Sequence, residues 1–306
     1  MTNPHSIRTA SESDLPALRP LVQAALVHDQ DAADVLDLLW TQAASRPQLR
    51  LLAEADGQPV GLVVGALGPA TADAPATGHI DLIAVHPQAQ SRGIGRTLLA
   101  RAEELVTAAG ATRLMMRGRP PYYAWPGIDI RYTRAVCLAE SSGYTRGREG
   151  LNMSVDLRTA PLDTAADEAR LAAAGVQVRR LTTQDEKPFL AWMTRWGGSW
   201  DGEAARALTY DPPRGHVAVR EGADGVEYVG FACHGVNRRS WFGPMGTDSA
   251  LRGMGVGTVL LRRCLADQLA AGLDEAEIGW TAPIHFYARG VEARLGRVFW
   301  TYSKDI

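Results

Sequence analysis

Cysteine is scarce, with Cys137, Cys233 and Cys264 the only three in 306 residues. An odd number without Cys-x-x-Cys spacing excludes a disulfide framework and a thiolate metal site, and the apolar neighbours of all three mark them as small buried residues. Net charge is equally thin. The 32 Lys and Arg against 34 Asp and Glu leave a formal charge of −2, too little for a global field toward nucleic acid or anionic lipid, so any anion site must be local. No apolar run approaches the roughly 18 residues of a membrane span, and the start through Thr9 is polar, without the apolar core of a secretory signal. A cytoplasmic protein with no membrane or nucleic-acid partner is expected. The seven histidines have no metal-ligand spacing, so no metal is expected. What remains is 46% hydrophobic and 22% charged, an ordinary globular composition with enough chain for two domains of about 150 residues.

The two halves read as copies. Ile7-Arg8 is followed by Ser11 and Asp14, and Val178-Arg179 by Thr182 and Asp185 at the same spacing. Each set reads as a short strand ending at a capped helix start. Two turn-and-strand segments follow: Asp56-Gly57 before Val60 to Val64, and Asp224-Gly225 before Val229 to Ala232. The third pair is glycine-rich, Gln90-Ser91-Arg92-Gly93-Ile94-Gly95 against Arg252-Gly253-Met254-Gly255-Val256-Gly257. Between the halves, a stretch rich in Ala, Asp and Thr carries no strand signal and predicts a linker with a short helix at Ala165 to Ala174. The expected division is an N-terminal domain at 1–157, a linker at 158–176 and a C-terminal domain at 177–306. Each is a mixed α/β unit with helices on both faces of its sheet.

Both glycine segments follow a strand and open a helix. In the first half the apolar strand Ile80 to Val85, broken only by Asp81, runs through His86-Pro87 into the loop, and Leu98, Leu99, Ala102, Leu105 and Val106 then form one helical face. In the second half Trp241 to Thr247 is the strand, and Val259, Leu260, Cys264 and Leu265 point inward. Strand, glycine loop and helix N-terminus together bring unpaired N–H groups around a space open to a phosphate. A Walker loop is excluded, because Arg96-Thr97 and Thr258-Val259 stand where Gly-Lys-Ser/Thr is needed; a dinucleotide fingerprint is excluded by the glycine spacing.

Gln/Arg-x-x-Gly-x-Gly in this context resembles the GNAT superfamily of N-acetyltransferases, over two tandem domains that span nearly the whole chain. The resemblance implies that acetyl-coenzyme A binds through Ile83-Ala84-Val85 and Gln90-Ser91-Arg92-Gly93-Ile94-Gly95-Arg96 in the first half. The matching segments in the second are Met245-Gly246-Thr247 and Arg252-Gly253-Met254-Gly255-Val256-Gly257-Thr258. It further implies a proton donor on the last helix, where Phe286-Tyr287 stands in the second half and Cys137-Leu138 in the first. Leu138 has no proton to give, so the C-terminal half is expected to be catalytic with Tyr287 as the acid. For the base, Glu277 on a strand expected at Glu275 to Thr281 competes with His285.

Two aromatic segments bear on the acceptor. Trp192, Trp196 and Trp200 share a helical stripe if a helix runs through Gly197-Gly198, either as core or lining a cleft. Pro120 to Asp129 is too proline-rich for a helix or inner strand and reads as a loop that packs the halves together or overhangs a cleft. Together with Ile278-Gly279-Trp280 and Phe286-Tyr287, that loop is similar to tandem proteins that include glucosamine N-acetyltransferases. The expected acceptor is thus a small primary amine such as an amino sugar. A protein or peptide amine is the alternative acceptor, and a non-catalytic acetyl-coenzyme A sensor or scaffold the alternative function.

Overall fold

The same arginine–aspartate device opens each repeat. After strand β1 (Ser6–Thr9), Arg8 forks onto both oxygens of Asp14 (2.9 and 2.7 Å), whose Oδ2 also accepts the Ser11 N–H at 2.7 Å. After β8 (Val176–Arg180), Arg179 forks onto Asp185 (2.8 and 2.7 Å), which accepts the Thr182 N–H at 2.8 Å. Each carboxylate closes a 3₁₀ turn that feeds a helix, α1 (Leu15–Ala25) or α6 (Glu186–Met193). The hydrogen bonds from Arg8 hold Asp14 well below the usual carboxylate range. Burial pushes Asp185 up, but the bonds from Arg179, Tyr228 and Thr182 outweigh it and hold this carboxyl low as well.

A computed structural model describes residues 5–41, 48–68, 70, 75–119, 124–197, 200–222 and 225–306. The chain divides into one unit of Met1–Gly150 with Val298–Ile306 and another of Leu151–Arg297. In the first unit β1, β2 (Gln48–Ala55), β3 (Gln58–Leu67) and β4 (Ala76–Val85) are successive antiparallel neighbours. Strand β5 (Ala111–Met116) joins β4 in parallel. Alternation along β2 and β3 sends Leu52 and Leu62 to one face, with Leu82, under α1 and α2 (Ala32–Thr41). Leu51 and Val63 go to the other, under α3 (Ile94–Ala108). A register shift in β4 between Ile80 and Leu82 breaks the alternation and puts Ile80 on the α3 face. Leu98, Leu99, Ala102 and Val106 of α3 are all buried, as the helical periodicity requires. The first unit also holds β6 (Ile128–Asp129), α4 (Thr133–Ser141) and the start of β7 (Thr145–Asp156).

The second unit repeats this plan. Strands β8, β9 (Gly215–Gly222), β10 (Gly225–His234) and β11 (Trp241–Thr247) are antiparallel neighbours in that order, and β12 (Glu275–Ile278) is parallel to β11. Helix α8 (Val256–Ala270) buries Val259, Leu260, Cys264 and Leu265 on one face of the sheet. On the other face α6 and α7 (Trp200–Leu208) cover a cluster around Phe189 and Phe231. Trp192, Trp196 and Trp200 belong to that cluster: their rings lie 5.7–6.0 Å from Phe231, so the stripe is packing rather than a cleft wall. It is also not one helix, since α6 ends at Met193 and a 3₁₀ turn covers Thr194–Trp196.

Where each sheet finds its sixth strand corrects the boundaries expected from the sequence. In the first unit the strand beside β5 is the end of the chain, the C-terminal part of β13 (Arg294–Asp305), from Tyr302↔Met116 to Asp305↔Arg113. In the second unit β12 is flanked by the end of β7, from Ile278↔Met153 to Glu275↔Asp156. The last strand of each repeat thus completes the sheet built by the other repeat. The segment 158–176 is no loose linker either. Helix α5 (Ala165–Ala173) belongs to the second unit, with Leu171 fully buried and Glu168 held by Arg263 through two 2.6 Å hydrogen bonds. Among the cysteines, Cys233 and Cys264 are buried as expected, but Cys137 is exposed on α4.

Candidate active site

Strand β4 keeps its partner β3 as far as Val85↔Gly61, whereas its pairing with β5 stops at Ile80↔Met116. Past Ile80 the parallel neighbours part and leave the β4 edge from Asp81 to Val85 facing a wedge. From Val85 the chain passes a 3₁₀ turn (Pro87–Ala89) to Gly93, the N-cap of α3 at φ +82°, a left-handed conformation that glycine adopts without steric cost. Gln90 latches this loop. Its Nε2 donates to the Val85 carbonyl at 3.0 Å, and its Oε1 accepts from Arg134 of α4. The first N–H groups of a 15-residue helix have no intrahelical partner and carry the positive end of its dipole.

These groups line a cavity of about 930 Å³ built wholly from the first unit. Gln90, Ser91, Gly93, Gly95 and Arg96 form one end, and a Cβ placed on Gly93 would meet nothing within 4 Å. Asp81, Trp125, Asp129, Arg131 and Tyr132 line the rest of the wall, with Leu138 and Cys137 of α4. Buried Asp29 organises two of these rings, accepting the Tyr132 hydroxyl at 2.7 Å and the Trp125 indole N–H at 3.1 Å. The Tyr132 oxygen in turn accepts the His28 N–H at 2.9 Å. Asp81 and Arg119 form a buried ion pair at 4.0 Å, with side chains only 8% and 9% exposed. Asp129 is gripped by Arg131 through its Nε and Nη2.

The second glycine loop has the same backbone and different surroundings. Strand β11 pairs with β10 out to Thr247↔Gly230 but with β12 only to Phe242↔Ile278, so the wedge recurs, and Gly255 caps α8 at φ +86°. Here, however, the Arg170 guanidinium lies 2.8 Å from where a Cβ on Gly255 would lie, while Gly257, with Phe286 and Met245 at 3.4 and 3.5 Å from its Cβ position, is no more crowded than Gly95, which has Leu138 at 3.2 Å.

The residues singled out in the sequence separate accordingly. Ile83, Ala84, Val85, Gln90, Ser91, Gly93, Ile94, Gly95 and Arg96 line the cavity, with Arg92 exposed beside them. Met245, Gly246 and Thr247 lie on β11, and Arg252 to Thr258 form the second loop and the start of α8. Tyr287 on α9 (Ile284–Val291) is 7% exposed and packs edge-on against Phe242 and Phe286; burial pushes its phenol up to about 12. Glu277 accepts hydrogen bonds from Asn152 (2.5 Å) and Trp241 (2.9 Å) and faces Arg297 at 3.8 Å, the surroundings of a structural carboxylate. Its strand ends at Ile278, short of the expected Thr281. His285 is exposed. Of the proline-rich loop, Pro120 to Tyr123 lie outside the described residues; the remainder carries Trp125 to the cavity wall. Among the described residues no group of three or more His, Cys, Asp or Glu could hold a metal ion, and no helix is long and apolar enough to cross a membrane.

Sequence reasoning passed over Asp29, Arg119 and Tyr132. Asp81 left a trace, as the one polar break in the apolar run Ile80 to Val85, and Tyr132 stands immediately before the first turn of α4. Asp29 had no local signature, because its partners are 96 and 103 residues away.

Residues 15–122 match the acetyltransferase (GNAT) family. A search of curated proteins finds no match. Among solved structures, the chain is similar to a GCN5-related glucosamine N-acetyltransferase region of a fungal multi-domain GH3 β-N-acetylglucosaminidase, with TM-score 0.79 and 16% identity over 99% of this chain and 38% of that one. A GCN5-related N-acetyltransferase from Sphaerobacter thermophilus gives 0.69 and 19% over 100% and 96% of the two chains. A tandem GNAT protein from the clavulanic acid biosynthesis pathway gives 0.69 and 17% over 98% of each.

Proposed function

We propose that this protein, whose residues 15–122 match the acetyltransferase (GNAT) family and whose fold is similar to that of a tandem GNAT protein, is an acetyl-CoA-dependent N-acetyltransferase working in the cleft of the first unit. Its acceptor is the primary amine of a small molecule, in the first place an amino sugar. The observation that carries this reading is the single cavity that joins the Gln90–Arg96 loop to Asp81 and Tyr132. It moves the chemistry out of the half that Leu138 and Tyr287 favoured in the sequence.

The first unit fits the cofactor: its cradle is open at Gly93, and the N-terminus of α3 is aimed into about 930 Å³ of free space. Once bound, acetyl-CoA supplies an activated thioester. The α3 N–H groups would hold the pyrophosphate, and the β4 edge past Ile80 would offer donors for the thioester oxygen. Asp81 accepts the proton of the incoming ammonium, while Arg119 beside it holds the carboxylate in place. Tyr132, oriented by Asp29 and the His28 N–H, is placed to return a proton to the departing thiol. The Trp125 ring on the wall offers a face to a sugar. The structural similarity to a glucosamine N-acetyltransferase region supports the same acceptor class.

The test is acetyl transfer to a panel of amines, glucosamine among them. Gly93→Val with Gly95→Val is expected to abolish turnover and coenzyme binding together. An active loop variant alongside a dead Tyr287→Phe variant would return catalysis to the second unit. Binding without transfer to any amine would leave a coenzyme-binding scaffold.

A further inference from the structure

We propose that the second glycine loop is closed from within by Arg170, so that the chain takes up one molecule of coenzyme A although it carries two loops. The inference rests on the reading of the first loop as the cofactor cradle. Arg170 projects from α5, the helix that precedes β8, and its Nη1 donates to the Met254 carbonyl at 2.7 Å, inside the glycine loop. Its Nη2 donates to Asp167 at 2.8 Å and lies 2.8 Å from the Cβ position of Gly255, the residue that caps α8. The guanidinium therefore covers the helix N-terminus where a pyrophosphate would have to approach. In the first loop the equivalent glycine, Gly93, has nothing within 4 Å of that position.

The helix that carries Arg170 is anchored, although the side chain itself is half exposed. Leu171, next in the chain, is fully buried; Glu168 is forked by Arg263 and also accepts the Thr164 hydroxyl at 2.6 Å; and Arg262 donates to the Asp163 carbonyl at 3.1 Å. Prising α5 away would break these contacts together. A cofactor would thus have to draw the Arg170 guanidinium away from the Met254 carbonyl and Asp167 before its pyrophosphate reached the helix N-terminus. The identical backbone of the two loops conceals this asymmetry, which lies entirely in side chains.

The experiment is calorimetric titration of the full chain with coenzyme A, read as stoichiometry. One equivalent is expected for the wild type and none for Gly93→Val with Gly95→Val. Two equivalents falling to one in the loop variant would overturn the closure of the second loop while sparing the first as the cradle. One equivalent that persists in the loop variant would overturn both. Arg170→Ala is expected to raise the count from one to two, the new site being the weaker. A count that stays at one in the folded variant would show that Arg170 is not what closes the loop. Because wild-type stoichiometry alone already decides between one and two sites, the test survives even if that variant does not fold.

Discussion

Glu203 lies on the inner face of α7, 7% exposed, with the Asn237 side-chain amide donating to its Oε1 at 2.6 Å. Burial outweighs that hydrogen bond and raises its carboxyl from 4.5 to about 7. The folded protein therefore keeps a proton that the unfolded chain gives up, and between these two values stability falls as pH rises. Taking about 1.4 kcal/mol per pH unit, the loss levels off above pH 7 at about 3 kcal/mol. Glu203→Gln has nearly the same shape, still accepts from Asn237 and has no proton to lose. Relative to the wild type it is expected to be level near pH 4.5 and about 3 kcal/mol more stable at pH 8. Urea unfolding of both proteins at matched pH values gives this difference directly, and titrations they share cancel. A gap that does not change with pH would refute the argument, because Glu203 would then titrate as an ordinary solvated carboxylate.

Asp81→Asn is expected to lower kcat by about a hundred- to ten-thousand-fold with little change in coenzyme affinity, and the acidic limb of the pH–rate profile should flatten if Asp81 takes the ammonium proton. Tyr132→Phe removes the hydroxyl that binds Asp29 and should lower kcat with the fold intact; normal turnover would exclude it as proton donor. At Asp267, burial works against the charge, but the hydrogen bond from His216, the His234 ring 3.3 Å away and the charge of Arg180 hold the carboxyl well below its usual range. Its contribution to stability is thus present above about pH 4 and lost as pH falls, and Asp267→Asn, which leaves the partly exposed Arg180 without its carboxylate, should cost about 1–3 kcal/mol in neutral-pH unfolding.

How much of this was legible in the sequence follows from how local each feature is. Arg8, Ser11 and Asp14 lie within seven residues, as do Arg179, Thr182 and Asp185, so the repeat and its caps could be read directly. The glycine loops and the buried stripes of α3 and α8 follow from spacing alone, for the same reason. Nothing local reveals that Tyr302 pairs with Met116, because that register depends on partners 186 residues apart. Nor does glycine spacing tell an open cradle from a filled one: Gly93 and Gly255 have nearly the same φ, and what separates them is the reach of an arginine 85 residues upstream of Gly255. Tyr287 was singled out by its place in a motif, whereas its surroundings, Phe242 and Phe286, make it part of the core.

The strand that completes the first sheet has a consequence in time. Residues 298–306 belong to the first unit, yet the ribosome makes them only after the whole of Leu151–Arg297. At roughly 5–20 residues per second, the edge of β5 waits on the order of ten to thirty seconds without its neighbour, exposing the Met116 side of the strand and its unpaired backbone to the crowded cell. An N-terminal half released before those residues arrive would carry a bare sheet edge, the kind of surface that invites pairing with another nascent chain. A gene split at the repeat boundary should for the same reason yield two insoluble halves, with solubility returning when they are translated together.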